Sequence, residues 1–133
     1  MEHSFTLSFF VHAAPDEVME LLTNPEFIRE WGGGESLIEK RPGGQFTMFD
    51  GWVEGQVLTI TANELAYTWR PNNWPEEVPA SEVHFKLAPA EHGTEVTLEH
   101  SRFPNKEEME GHRKGWDEQF FAPIGEYLAN RNN

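Results

Sequence analysis

The chain has 133 residues, the size of one ordinary domain, which buries roughly 70% of its unfolded surface and needs no staples to fold. It has no cysteine, which excludes disulfides, thiolate zinc sites and cysteine nucleophiles. A formal charge of -13, from 23 acidic against 10 basic residues, sets its surface against nucleic acid and anionic bilayers and leaves cationic protein partners open.

Mean hydropathy is -0.62, and no run of about 20 apolar residues exists, so no membrane span is expected. The N-terminus shows no basic leader followed by a sustained apolar run, and the expected location is cytoplasmic. One domain is expected over residues 1–133, with Asn130–Asn133 as a tail.

Residues 3–12 alternate, with Phe5, Leu7, Phe9 and Val11 on one side and Thr6, Ser8 and His12 on the other, which predicts a half-buried strand. Ala14-Pro15-Asp16-Glu17 opens a helix, because proline suits a first turn and acidic side chains favour the positive end of the helix dipole. Asn24-Pro25 ends it. A second short helix carries Phe27, Ile28 and Trp31 and stops at Gly32-Gly33-Gly34. Strands follow at Ser36–Arg41, Gln45–Phe49, Val53–Ile60, Leu65–Arg70, Ser81–Ala88 and Thr94–Phe103. Pro42-Gly43-Gly44, Asp50-Gly51 and His92-Gly93 supply turns, and the loop 71–79 is proline-rich and carries Trp74. The last element is a helix over Lys106–Ala129, with Met109, His112, Trp116, Phe120, Ile124 and Tyr127 in one stripe. Gly115 weakens it, and Pro123 either kinks it or splits it in two. Segregated helices and consecutive strands mean an α+β fold: an antiparallel sheet of about six to seven strands around a long C-terminal helix.

An ordered set of motifs runs along nearly the whole chain. It comprises Ala14-Pro15-Asp16-Glu17-Val18, Thr23-Asn24-Pro25-Glu26 with Trp31, Gly43-Gly44-Gln45-Phe46, Glu54-Gly55-Gln56-Val57 and Leu65-Ala66-Tyr67-Thr68-Trp69. It continues with Gly93-Thr94-Glu95-Val96-Thr97-Leu98-Glu99-His100, Gly115-Trp116 and Tyr127-Leu128. The set resembles the START-like (SRPBCC) superfamily, in the branch related to the activator of heat-shock protein 90 ATPase. The resemblance implies a helix-grip fold in which the sheet curls around the final helix and often leaves a cavity. Members of the superfamily bind lipids, sterols, polyketides and other apolar ligands there. Some branches are cyclases or dehydratases, and the eukaryotic co-chaperone uses a domain of this kind.

Six histidines are scattered without HxH or HExxH spacing, and the Glu108/His112 pair is common by chance on a helix, so no metal site is expected. No cofactor is expected either. The serines lack a GxSxG setting, and the glycine runs are turns rather than phosphate loops. His100 shares its strand face with Val96, Leu98 and Arg102. It is either a cavity-wall histidine that orients a ligand or acts as acid or base, or a structural one bonded to a neighbour.

The aromatic content is high, with 5 Trp and 10 Phe. Trp31, Phe46, Met48, Tyr67, Trp69, Phe85, His100, Trp116 and Phe120 are the candidate lining of an apolar pocket, with His100 and Tyr67 as polar handles. The alternative is a solid core of the same residues. The expected function is binding of a small apolar or amphipathic ligand, with no catalytic constellation. Two other readings stand beside it: a co-chaperone-like interaction with a chaperone or other protein, and a cyclase-like enzyme using His100.

Overall fold

The computed structural model describes residues 3–131; Met1, Glu2, Asn132 and Asn133 of the expected domain and tail lie outside the described residues. The first strand, β1 (His3–Val11), buries Phe5 and Val11 and exposes Thr6 and Ser8, as its alternation demands. Helix α1 (Pro15–Thr23) has Pro15 in its first turn beside Asp16 and Glu17, and it buries Val18, Leu21 and Leu22. Asn24 ends α1, and its Oδ1 accepts the Glu26 N–H, capping α2 (Pro25–Trp31). Gly32, at φ 109°, closes α2 in the left-handed region.

Six further strands follow: β2 (Leu37–Ile38), β3 (Gln45–Met48), β4 (Val53–Ile60), β5 (Glu64–Pro71), β6 (Ser81–Ala90) and β7 (Gly93–Phe103). They form one antiparallel sheet in the order β1-β7-β6-β5-β4-β3-β2. The chain's first strand thus pairs with its last, Phe5 opposite His100 and Val11 opposite Thr94.

The final helical run is continuous over 106–131, as α3 (Lys106–Gly115), a π-helical turn (Trp116–Phe121) and α4 (Ala122–Arg131). The Ala122 N–H bonds to the Asp117 carbonyl, five residues back. Pro123 comes next, and it has no N–H to give and a ring that crowds the carbonyl four residues earlier. The wider turn before it absorbs both defects, so the proline does not split the helix. The same turn buries two consecutive side chains, Phe120 and Phe121.

Between sheet and helix, the rings pack on one another. Phe46 stacks on Tyr67 at 3.9 Å, and Phe85 meets Trp116 at 5.8 Å and Phe120 at 6.2 Å. Each such pair adds about 0.5–1.5 kcal/mol beyond its buried area.

Two expectations need correction. The strand expected over Ser36–Arg41 is reduced to Leu37–Ile38, because the turn through Gly43 (φ 84°) closes early, with Gly44 N–H on the Arg41 carbonyl and Gly43 N–H on that of Val57. The alternation in β7 also breaks after His100. Arg102 takes φ 65°, turns out to solvent and reaches Glu82 at 3.1 Å, and Phe103 is buried in its place.

Candidate functional site

A pocket of about 280 Å³ opens where α3 and the π turn pass the β3–β4 turn and β5. The helix contributes Glu108, Gly111, His112, Gly115, Trp116, Gln119 and Phe120, which recur at three- and four-residue spacing and so share a face. The sheet side contributes Phe49, Trp52 and Trp69. Phe49 sits at φ 53°, an unusual conformation for a bulky residue, followed by Asp50 at 59° and Gly51 at 86°. This left-handed turn is tied down by Phe49 N–H to the Gly33 carbonyl and by Asp50 Oδ1 accepting the Glu35 N–H. It presents Phe49 and Trp52 to the pocket, with their rings 6.3 Å apart and near perpendicular.

Hydrogen bonds fix the indole walls. Trp116 Nε1–H donates to His100 Nδ1 at 3.0 Å. His100 is then protonated on Nε2, which donates to Ser81 Oγ at 2.8 Å, and Ser81 Oγ donates to the Trp69 carbonyl at 2.7 Å. A second relay runs from Trp69 Nε1–H to His112 Nε2 at 3.1 Å, with His112 Nδ1–H donating to the Glu108 carbonyl at 2.9 Å. Both histidines are fully bonded only as neutral imidazoles. Burial holds His100 well below its ordinary value of 6.5, and the neighbouring His112 adds to this. Burial also lowers His112, opposed by its hydrogen bond to the Glu108 carbonyl and by the Glu108 charge. With both indole N–H groups satisfied, Trp69 and Trp116 offer the pocket their apolar ring surface.

Glu108 is the formally charged side chain of the lining. Its Oε1 accepts Trp74 Nε1–H at 2.8 Å. Trp74 belongs to the proline-rich loop, which the Arg70 guanidinium clamps through the carbonyls of Val78, Trp74 and Pro75. Among the described residues, no lysine or arginine lines the pocket.

Of the nine residues expected as lining, Trp69, Trp116 and Phe120 meet at this pocket. Trp31, Phe46, Met48, Tyr67, Phe85 and His100 lie behind it in the buried core. Trp31 donates its indole N–H to the Leu21 carbonyl at 2.8 Å. The Tyr67 hydroxyl is fully buried with no partner among the described residues, and burial pushes its pKa up. Sequence reasoning missed Phe49, Trp52, Glu108, Gly111, His112, Gly115 and Gln119 as lining. The signal was present in the helix: positions 108, 111, 115 and 119 follow helical spacing and combine two glycines with two polar side chains.

A seven-stranded antiparallel sheet gripping a long C-terminal helix defines this protein as a START-like (SRPBCC) domain. The chain belongs to the family described as Activator of Hsp90 ATPase homolog 1-like protein, which it matches over residues 12–129. It is similar to mouse (Mus musculus) activator of 90 kDa heat shock protein ATPase homolog 2, 30% identical over 110 residues, covering 82% of this chain and 33% of the relative. The human (Homo sapiens) homolog 1 is 28% identical over 112 residues, covering 84% and 32%. The chain thus spans about a third of the length of these curated relatives. Among solved structures, it is similar to an HSP90 activator from Plasmodium falciparum, with TM-score 0.83, 24% identity, and coverage of 95% of this chain and 96% of that one. It is also similar to CalU16 from Micromonospora echinospora, with TM-score 0.79, 26% identity, and coverage of 94% and 75%. No helix among the described residues is long and apolar enough to cross a membrane.

Proposed function

We propose that the chain binds a small apolar or amphipathic ligand in the pocket between α3, the π turn and the β3–β4 turn. The supporting observation is the pair Gly111 and Gly115. A Cβ built at either position meets nothing within 4 Å, so close packing does not require glycine there. Neither has a positive φ, so backbone conformation does not require it either. Glycine inside a helix costs about 0.8–1 kcal/mol relative to alanine. What the two glycines do is leave the helix side of an aromatic pocket bare.

The test is a titration of the whole chain with apolar probes, followed by intrinsic tryptophan fluorescence and calorimetry, in parallel with Gly115→Leu. Saturable binding that the leucine removes, at unchanged or raised Tm, supports the reading. Absence of saturable binding, or identical binding by Gly115→Leu, refutes it.

The second reading, docking to a chaperone, is favoured by the family and by the activator names of the relatives that share about a third of their length with this chain. The partly exposed Trp52 at the pocket rim would be its first contact to test. Unchanged ATPase turnover of the cognate chaperone in the presence of the chain removes this reading.

The enzyme reading has no support in the geometry of His100. Both its ring nitrogens are engaged, its side chain is wholly buried, and it does not line the pocket.

A further inference from the structure

We propose that the ligand is a small organic cation with an apolar body, such as an aryl quaternary ammonium, and that Glu108 is its counter-charge; this rests on the pocket being the ligand site. The lining is aromatic, with Phe49, Trp52, Trp69, Trp116 and Phe120 around one space. Trp52 stands at 78° to Trp69, their centroids 6.2 Å apart. Trp69 meets Trp116 at 5.0 Å, and Trp116 meets Phe120 at 4.8 Å. The face of an aromatic ring carries negative potential, and several faces set around one space form a box that favours a cation over its neutral isostere.

The charge pattern points the same way. The Glu108 carboxylate is at the edge of the box, and among the described residues no lysine or arginine pairs with it. Its charged candidate partner is His112, at 3.8 Å, but that imidazole gives its Nδ1–H to a carbonyl and uses its Nε2 to accept from Trp69. One carboxylate oxygen is fixed by Trp74, while Oε2 makes no hydrogen bond among the described residues. The clamped loop therefore holds a carboxylate of the first turn of α3, without a lysine or arginine partner among the described residues, at a pocket lined by five aromatic side chains. The chain's formal charge of -13 attracts cations and repels anions over a longer range. An anionic amphiphile would find no lysine or arginine in the lining among the described residues. A pocket of about 280 Å³ suits a ligand of modest size.

The test uses three probes of matched shape on the whole chain: (3-hydroxyphenyl)trimethylammonium, 3-tert-butylphenol and 3-tert-butylbenzoate. Dissociation constants come from NMR titration, with shifts read at Trp52, Trp69 and Trp116. The cation is expected to bind about tenfold tighter than the phenol, and the benzoate most weakly. Glu108→Gln retains an acceptor for Trp74, so its Tm should hold, and it should bring the cation to within about threefold of the phenol measured on the same variant. Added salt should weaken the cation alone.

A phenol that binds as tightly as the cation overturns the inference and leaves the pocket reading intact. So does a cation preference that persists in Glu108→Gln. If no probe shifts these tryptophans, the pocket reading itself falls, and this inference with it.

Discussion

His100 and His112 stand 5.3 Å apart and each accepts an indole N–H, yet one lies wholly inside the core and the other forms a pocket wall. In the core, the His100 relay bonds every polar atom it contains: indole, imidazole, hydroxyl and backbone carbonyl close a chain with no open end. At the wall, the His112 relay ends on the helix backbone, and a ring face stays turned to Trp52, stacked at 6.2 Å. The same pairing of Trp with His therefore does two jobs. Buried, it fixes the sheet to the helix; at the rim, it holds a tryptophan in place for something else to touch.

Substituting the two histidines should separate these jobs most sharply. His100→Ala leaves the buried Trp116 N–H without a partner and opens a cavity, for a loss of about 3 kcal/mol or more in urea unfolding. His112→Ala should cost less, about 1–2 kcal/mol, because its site adjoins solvent. It should nonetheless weaken ligand binding more than His100→Ala does in whatever fraction remains folded. Equal stability losses would remove the distinction between core and wall.

Acid should act on the pair together and then on one alone. Both folded-state values lie below the ordinary 6.5, so just below that pH the unfolded chain takes up protons that the folded chain refuses. The contribution of the two neutral histidines is therefore complete above about 6.5 and falls as pH drops through that point. The fall is steepest at first, while both histidines contribute. It eases once pH passes the folded value of His112, leaving His100, which lies further down. Chemical denaturation at stepped pH should show the upper limb flattened in His112→Gln, and a flat profile in the parent chain would contradict the neutral relays.

The pocket side can be sharpened at its glycines. Gly111→Ala and Gly115→Ala should each raise stability by about 1 kcal/mol, read as a higher urea midpoint, while lowering ligand affinity. On the core side, Tyr67→Phe removes a buried hydroxyl with no partner among the described residues, so it should be neutral or stabilising by up to about 1 kcal/mol in the same assay. A clear loss there would reveal a partner for that oxygen.

The fold was largely legible because period-two alternation marks strands directly: Phe5 with Val11, Phe46 with Met48 and Val83 with Phe85 all face inward as their spacing requires. Alternation fails where the backbone leaves the β region, and so Arg102 and Phe103 exchanged sides without a sequence signal. The π turn is invisible to a 3.6-residue stripe, although Phe120-Phe121 ahead of Pro123 is its trace. The site was less legible for a physical reason. Inward-facing aromatics such as Phe46 and Tyr67 were expected to line space, but stacked rings consume it. Open volume persists instead at the end of the grip, where helix glycines face aromatics from a left-handed turn. Phe49 and Trp52 flank Asp50-Gly51, and only the folded turn brings them to α3.

The most direct test of the pocket is the set of five indole N–H resonances in a titration with an aryl ligand. Trp52, Trp69 and Trp116 should shift together and saturate at one dissociation constant, while Trp31, bonded to the Leu21 carbonyl behind the pocket, should move least. Shifts centred on Trp31, or no saturable shift at the three pocket tryptophans, would contradict the assignment of this site.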